Sequence, residues 1–401
     1  MSKATVRTLD CTLAPWPVFE PDEIQAVSEV LRSGKVNYWT GTEGREFEQE
    51  YAAVLGVPYA VALHNGTQAL ELALYALGVG AGDEVITTPR TFIASASAAV
   101  MRGAVPIMAD IDRDSGNITA ETVRAALTPR TRAIIVVHLA GWPADMAPIM
   151  ALAQEHGLFV IEDCAQAHGA KYGGQPVGTI GHVGCFSFCQ DKIMTTGGEG
   201  GLLVTHDEEL WRRAWAFKDH GKSFEAVYHR EHPLGFRWLH ESFGTNWRML
   251  EVQAAIGRLQ LRKLPDWTAQ RQRNAAVLAG RFSRLPALRV PTVPAGSEHA
   301  QYKFYVYVRP ETLRAGWDRD RIMAEVVARG APCYTGTCSE IYLEKAFVDA
   351  GLGPKERLPV ARELGETSLM FLVHPTLSEA DMNAVANVVE EVVREATRAD
   401  A

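Results

Sequence analysis

Short apolar runs alternate with segments of helical periodicity from about residue 20 to about residue 260. Such an alternation is typical of a parallel sheet whose strands are joined by covering helices. The predicted strands span residues 59–64, 84–88, 105–109, 133–139, 158–162, 185–190 and 201–205, and the predicted helices span 67–77, 93–102 and 146–156. We therefore predict an α/β fold, in which helices cover a mostly parallel sheet.

The regular alternation of apolar runs and helical segments ends after a helix predicted from about residue 249 to 264. We expect that helix to end at Pro265, because proline lacks an N–H group and clashes with the preceding turn. Helices over 275–283, 318–329 and 379–398 and a strand over 302–308 are predicted beyond it. The sequence thus predicts an extended N-terminal arm (1–20), a large α/β domain (21–264) and a smaller C-terminal α+β domain (265–401).

The bulk composition excludes several classes of protein. The 401 residues carry a net charge of −8, which provides no basic field for nucleic acid. None of the six cysteines forms a Cys-x-x-Cys pair, so neither a metal site nor a disulfide framework is expected, and a reducing cytoplasm is the predicted location. No apolar run approaches the roughly 18 residues of a membrane span, and no signal peptide is recognisable.

One lysine lies where a strand enters a glycine-rich turn. Lys192 follows the apolar run 184–190 and precedes Thr195, Thr196 and four glycines. This is a poor place for a solvated charge, but a good place for an amine held in a cramped, partly dry pocket, where it can act as a nucleophile. The commonest use of such a lysine is a Schiff base with an aldehyde cofactor.

Two further segments place polar residues at strand ends, and a third, described below, places an aromatic residue there. Gly66 and Thr67 open a helix whose free N–H groups suit a phosphate, although Asn65 and Thr67 can also be read as simple helix caps. Asp163 ends a buried strand, where ligands of open α/β sheets collect, and it can pair with a protonated ring nitrogen or merely cap the next segment.

The remaining candidates complete a cofactor site. Gln166 follows on the same loop as Asp163 and could contact a ring hydroxyl, Phe92 could stack on a flat ring or belong to the core, and Ser187 could reach the phosphate. A phosphate cradle, a ring stacker, a pyridinium partner and a Schiff-base lysine together match pyridoxal 5′-phosphate.

The chain resembles the sugar aminotransferase family (the DegT/StrS group) of fold-type I pyridoxal phosphate enzymes over nearly its whole length. The matching segments, in order, are Asn65-Gly-Thr67, Gly78-x-Gly80-x-Gly82-Asp-Glu-Val-Ile86, Thr128-Pro-Arg-Thr-Arg132, His138-Leu-Ala-Gly141, Glu162-Asp-Cys-Ala-Gln166, Ser187 with Lys192 and its turn, and Gly244-Thr-Asn-Trp-Arg-Met249 before Gln253-Ala-Ala-Ile256. Two features depart from the family pattern, a glycine turn one residue longer than usual and Cys164 in place of alanine.

The resemblance implies a role for each matching residue. Lys192 would carry the cofactor and act in catalysis with Asp163, which would pair with the pyridine nitrogen. The other implied cofactor contacts are Gly66, Thr67 and Ser187 for the phosphate, Phe92 for the ring face, Gln166 for the ring hydroxyl, and Asn246 together with Arg248 for the phosphate region of the neighbouring subunit's cofactor. The implied substrate contacts are Tyr38, Trp39, His220 and Lys222.

The resemblance also implies the reaction and the assembly. We expect a homodimer with shared active sites, which moves an amino group from an amino acid, glutamate by family precedent, to a nucleotide-linked keto-sugar. A 4-keto-6-deoxyhexose is the expected acceptor, with a product used in lipopolysaccharide, capsule or glycosylated metabolite synthesis. A cyclitol or 3-amino-5-hydroxybenzoate-type ketone is the alternative acceptor, and a non-catalytic regulatory pyridoxal phosphate protein is the alternative class.

Overall fold

The computed structural model describes Thr8, Leu9 and residues 11–400. Its strands are β1 (Tyr59–Leu63), β2 (Glu84–Thr87), β3 (Val105–Met108), β4 (Thr131–Val137), β5 (Phe159–Asp163), β6 (Lys171–Tyr172), β7 (Gln175–Pro176), β8 (Val183–Ser187), β9 (Gly201–Thr205), β10 (Leu288–Arg289), β11 (Ser297–Glu298), β12 (Phe304–Val308) and β13 (Ser368–Phe371). Each predicted strand is therefore present, within a few residues of its predicted bounds.

Thirteen α-helices accompany these strands in the described part of the chain. They are α1 (Pro21–Ser33), α2 (Glu43–Leu55), α3 (Gly66–Ala76), α4 (Ala94–Met101), α5 (Ala120–Ala126), α6 (Met146–His156), α7 (Glu208–Lys218), α8 (Phe224–Tyr228), α9 (Glu251–Phe282), α10 (Arg319–Ala328), α11 (Lys345–Ala350), α12 (Pro359–Thr367) and α13 (Glu379–Ala396). Short helices such as α8 and α11 were not predicted, because a segment of this length carries little periodic signal.

A seven-stranded sheet with the order β1-β9-β8-β5-β4-β2-β3 forms the centre of the molecule. Strand β9 runs antiparallel to β1 and β8, and the other neighbouring pairs are parallel. This confirms the prediction of a mostly parallel sheet covered by helices. The carboxyl ends of β1, β2, β4, β5 and β8 consequently meet at one edge of the sheet.

The sheet is buried on both faces, which explains its apolar strands. Val61, Leu63 and Ile161 pack against α3 and its neighbours, whereas Ile134 and Val160 belong to a second apolar cluster on the opposite side. Strands buried on both faces are expected to read as continuous apolar runs rather than as alternating ones.

The long helix α9 runs through Pro265 without ending, so the predicted stop at this residue is wrong. A proline inside a helix removes one backbone hydrogen bond and adds a clash, at a cost of about 3 kcal/mol. Long-range packing offsets that cost: the first part of α9 contacts α1 and α2, and its later part contacts α13. Ion pairs reinforce the first contacts, since Arg258 binds Glu50 at 2.7 Å and Lys263 binds Glu20 at 2.8 Å.

The C-terminal part of the chain builds a second apolar core around a sheet with the order β10-β12-β13. Phe282, Phe304 and Phe371 lie in this core with residues of α10 and α13. The domain bounds at 20 and 264 stay predictions, and residue 264 lies inside α9. Residues 1–7 and 10 of the predicted arm, and residue 401, lie outside the described residues. Among the described helices, none combines the length and the apolar character needed to cross a membrane.

Candidate active site

Asp163 lies at the carboxyl end of β5, on the edge where the parallel strands end. Its carboxylate is almost fully buried and accepts hydrogen bonds from the Ser95 hydroxyl at 2.7 Å and from the Ala165 N–H at 3.1 Å. Ser95 belongs to α4, and a hydrogen bond of 2.8 Å joins its hydroxyl to that of Thr91. The carboxylate thus caps the segment that follows it, which is one of the two interpretations of Asp163 from the sequence. Its two hydrogen bonds also fix its orientation, which suits it to pair with a cation.

The predicted phosphate cradle is brought together by β1, α3 and β8. Asn65 caps α3 by accepting a hydrogen bond from the Gln68 N–H at 2.9 Å, so the capping interpretation of Asn65 is confirmed. Gly66 lies so close to β8 that a Cβ atom on it would be 2.7 Å from the Cβ atom of Ser187. Thr67 follows in the first turn of α3, where the helix dipole favours an anion.

A buried histidine holds the strand end that carries Ser187. The Nε2 atom of His168 lies 2.8 Å from the Ser187 carbonyl oxygen, and its Nδ1 atom lies 2.7 Å from the Tyr51 hydroxyl. Complete burial lowers the pKa of His168 to about 4, although the hydrogen bond to Ser187 opposes this shift. The neutral ring therefore donates to Ser187 and accepts from Tyr51. The sequence places His168 only five residues after Asp163, but nothing in its neighbours indicated this contact.

The buried neutral histidines predict loss of stability in mild acid. An unfolded histidine titrates near pH 6.5, whereas burial lowers the pKa of His168 to about 4 and that of His299 to about 3. Stability from these residues is fully present above about pH 6.5 and falls as the pH drops toward the folded values, because the unfolded chain binds the extra protons. When the pH falls from about 7 to about 5, the free energy of unfolding should decrease by about 2 kcal/mol for each of these two histidines.

Urea unfolding across this pH range measures the effect. His168→Gln, which keeps a donor for the Ser187 carbonyl, should show a shallower pH dependence than the unmodified chain. An unchanged pH dependence in this variant would mean that His168 does not contribute as its burial implies.

Lys192 lies in the turn between β8 and β9, on the same edge as Asp163. It is half-buried, and its Nζ atom lies 5.1 Å from the centre of the Tyr302 ring. The Tyr302 hydroxyl donates to Asp191 at 2.5 Å. Burial alone would raise the pKa of Asp191, but Lys192 and the Tyr302 hydrogen bond lower it overall. An ionised carboxylate therefore adjoins the lysine.

Gln166 and Phe92, the two predicted ring contacts, differ in how they are held. Gln166 accepts a hydrogen bond from the Ala140 N–H at 2.8 Å through its Oε1 atom, and this fixes the orientation of its amide. Phe92 precedes α4 and is 65% exposed, so the alternative reading of Phe92 as a core residue is wrong. An exposed ring at the strand-end edge is available to stack on a flat ligand.

The predicted substrate residues form a second cluster around Asp219. Lys222 binds Asp219 at 3.0 Å and lies 4.2 Å from the centre of the Trp39 ring. Asn246 bridges to Asp219 through its backbone, and the backbone of the exposed residue His220 donates to Thr245. This cluster adjoins the phosphate cradle through Arg248, which binds Asp219 at 2.7 Å and whose backbone bridges to Leu63 of β1.

Tyr38 is buried within this cluster. Its hydroxyl donates to Glu48 at 3.0 Å, and the ammonium group of Lys218 lies 3.9 Å from its ring centre. Lys218 is itself fully buried and binds Glu48 at 3.3 Å. Within one chain, Tyr38 is thus enclosed by an ion pair, and its contact with a substrate stays a prediction. Sequence analysis did not single out Lys218 or Glu48, which lie 170 residues apart.

The model of the DegT/DnrJ/EryC1/StrS aminotransferase family matches residues 17–390. The chain belongs to this family. A UDP-N-acetyl-3-dehydro-α-D-glucosamine 3-aminotransferase from Acidithiobacillus ferrooxidans is 38% identical over 88% of this chain and 89% of its own length. A dTDP-3-amino-3,4,6-trideoxy-α-D-glucose transaminase from Streptomyces venezuelae is 36% identical over 91% of this chain and 90% of its own length. The crystal structure of an aminotransferase from Psychrobacter cryohalolentis has 56% identity and a TM-score of 0.95, over 96% of this chain and 100% of that chain.

These similarities confirm the family and the fold suggested by the sequence motifs. The protein is an aminotransferase of a family whose members include sugar aminotransferases. The roles of individual residues rest on the geometry described above and stay predictions.

Proposed function

We propose that the protein uses pyridoxal 5′-phosphate to move an amino group from an amino acid, glutamate by family precedent, to the ketone of a nucleotide-linked sugar. The observation that carries this proposal is the convergence of Asp163, Lys192 and the α3 cradle at one edge of the sheet. Amino transfer through this cofactor needs an anion site for its phosphate, a carboxylate beside its ring nitrogen and a reactive amine.

The residues at this edge fit the cofactor. The start of α3, with Gly66 and Thr67, and the neighbouring Ser187 would bind its phosphate. Phe92 offers an exposed ring for its face, and the oriented amide of Gln166 would donate to its ring hydroxyl. When bound, the cofactor supplies a protonated ring that absorbs the electron pair left when a proton leaves the carbon beside the transferred nitrogen.

Two side chains would do the proton chemistry. Lys192 would hold the cofactor through its Nζ atom and, once released by the amino donor, would take the proton from the donor Cα atom. The carboxylate of Asp163 would keep the ring nitrogen protonated, because a buried negative charge favours the cationic form of its partner. Ser95 would hold that carboxylate in place through its 2.7 Å hydrogen bond.

The names of two relatives support a nucleotide-linked acceptor. One name specifies a UDP sugar with a 3-dehydro group, and the other a dTDP sugar with its amino group on carbon 3. The sequence resemblance favours a 4-keto-6-deoxyhexose. The acceptor is therefore proposed as a nucleotide-linked keto-sugar, and carbons 3 and 4 are the two positions to compare.

Absorbance spectroscopy of the two half-reactions tests this function. Glutamate should bleach the absorbance of the enzyme-bound cofactor, and the correct 3-keto or 4-keto nucleotide sugar should restore it. Restoration by a cyclitol ketone instead would favour the alternative acceptor. If glutamate and other amino acids leave the absorbance unchanged, the proposed amino transfer is wrong.

We also propose that two copies of the chain pair, with their active sites shared. The segment that follows α8 exposes several large apolar side chains, among them Phe236, Trp238 and Phe243. Apolar clusters exposed on one surface are typical of interfaces. Asn246 follows this segment and is itself exposed, which suits a role in the site of a second copy.

A heterodimer of two inactive variants tests the sharing of sites. Lys192→Ala and Asn246→Ala chains, co-expressed with different tags, are purified as a heterodimer. If Asn246 acts across the interface, one of the two sites has both residues intact, and about half of the wild-type activity should return. If Asn246 acts in its own subunit, no site is intact and the heterodimer should stay as impaired as its parents.

A further inference from the structure

The N-terminal arm reaches the backbone of Lys192 through a single tryptophan. The indole N–H of Trp16 donates to the carbonyl oxygen of Lys192 at 2.9 Å, across 176 residues of sequence. The amide that bears this oxygen directly follows the Cα atom of Lys192. Trp16 therefore contacts the catalytic segment at the point from which the lysine side chain extends.

The segment around Lys192 belongs to no helix or strand. Individual hydrogen bonds hold it: the Lys192 N–H donates to Cys189 at 3.1 Å, and the Thr195 N–H donates to the side chain of Gln260 at 2.8 Å. In a segment without a regular ladder, each such bond limits the motion of the backbone nearby. Among the hydrogen bonds of the described residues, the one from Trp16 holds the carbonyl oxygen of the peptide group immediately after the Lys192 Cα atom.

Trp16 is itself held on three sides. The Arg271 guanidinium lies 5.0 Å from its ring centre, Trp267 meets it edge-on at 5.0 Å, and His374 stacks on it at 6.2 Å. Arg271 is 1% exposed, and within the described part of the chain its Nε and Nη2 atoms have no hydrogen-bond partner. A desolvated cation gains more from an aromatic face than an exposed cation does. The indole is therefore a fixed donor and not a freely rotating one.

The same arm is attached to the segment that follows β13. The Thr376 hydroxyl donates to the carbonyl oxygen of Pro15 at 2.9 Å and lies 2.8 Å from the Nδ1 atom of His374. Pro15 and Trp16 thus connect the C-terminal core, with its sheet β10-β12-β13, to the lysine segment.

We infer that Trp16 is a positioning residue for Lys192: its indole hydrogen bond, held by Arg271 and His374, fixes the backbone from which the reactive amine extends. This inference rests on the proposed function for the role of Lys192. Amino transfer requires the Nζ atom to reach two different carbons in turn, so a small displacement of its anchor lowers the rate of the proton transfers more than it affects substrate binding.

Trp16→Phe tests the inference, because it removes the N–H donor and keeps an aromatic ring over Arg271. Trp211→Phe is the matched control, since the Trp211 indole also donates to a backbone carbonyl, that of Ala60 at 3.1 Å. Trp16→Phe should lower kcat about five- to tenfold, the loss expected for one hydrogen bond, and should leave KM for both substrates within about twofold. The absorbance of the bound cofactor, titrated against pH, should shift in Trp16→Phe and not in Trp211→Phe.

A second measurement does not depend on the cofactor. Amide hydrogen exchange of the cofactor-free chain should be faster in Trp16→Phe over the peptide 189–196, and unchanged there in Trp211→Phe. Unchanged exchange in this peptide, or a kcat loss matched by Trp211→Phe, would overturn the positioning role. If the unmodified chain fails to bind pyridoxal phosphate, the proposed function fails, whereas the exchange result still decides whether Trp16 orders the segment.

Discussion

Replacement of Lys192 by alanine is expected to abolish amino transfer and to leave the fold and the rest of the cofactor site in place. The side chain is half-buried in a turn, with its ammonium group 5.1 Å from the centre of the Tyr302 ring and beside the Asp191 carboxylate, so its removal opens no large cavity in a core. The phosphate cradle, Phe92 and Asp163 remain to bind the cofactor. Because Lys192 would be both the covalent anchor and the proton carrier, we expect kcat to fall by at least about 10³-fold.

Steady-state assays with glutamate and the best keto-sugar measure this loss. Equilibrium dialysis of pyridoxal phosphate should show that Lys192→Ala still binds the cofactor, now without a covalent bond. Lys171→Ala is the matched control, because Lys171 is a half-buried lysine that binds Glu298 at 3.2 Å and is not one of the candidate site residues. Turnover by Lys192→Ala within about tenfold of the unmodified enzyme would remove Lys192 from the catalytic role.

Asp163→Asn is expected to produce the second largest loss, a fall in kcat of about 10²-fold or more. Asparagine has almost the same shape: its Oδ1 atom still accepts from the Ala165 N–H, and its NH2 group takes the place of the second oxygen and donates to the Ser95 hydroxyl, which can instead donate to Thr91. It carries no charge, so it no longer favours a protonated ring nitrogen. The substitution thus separates the catalytic role of the carboxylate from its role in capping the loop.

The rate of the glutamate half-reaction, followed in a stopped-flow spectrophotometer, is the most direct readout of this variant. Thermal unfolding should change little, since the hydrogen bonds of the loop are retained. Asp145→Asn serves as the control, because this carboxylate is exposed, is hydrogen-bonded to the Tyr172 hydroxyl at 2.6 Å and is not one of the candidate site residues. Near-normal rates in Asp163→Asn would support the reading in which Asp163 only caps its loop.

The central sheet was predictable because its strands carry their own signal. Most of its strands are short apolar runs buried on both faces, the edge strand β3 being partly exposed, and polar segments separate these runs. Pro265 was misjudged because local propensity favours a stop, whereas the packing of α9 against α1, α2 and α13 depends on residues far away in sequence.

In the candidate active site, too, residues with a local sequence pattern could be predicted, whereas contacts between distant residues could not. Lys192, Asp163 and the Gly66–Thr67 pair could be proposed from the sequence because each lies at a strand end in a recognisable local pattern. The contacts that orient them were not found: Ser95 is 68 residues from Asp163, and Trp16 is 176 residues from Lys192. Neither hydroxyl nor indole has a local pattern that indicates its partner, so only the fold reveals the pairing.

Chemical trapping of the cofactor tests most directly whether Lys192 is the reactive amine. The purified enzyme is incubated with pyridoxal 5′-phosphate, reduced with sodium borohydride, digested and mapped by mass spectrometry. The predicted result is a single modified peptide that carries the added mass on Lys192. Modification of another lysine such as Lys222 or Lys303 in its place, or no stoichiometric modification, would contradict the assignment of this edge of the sheet as the catalytic site.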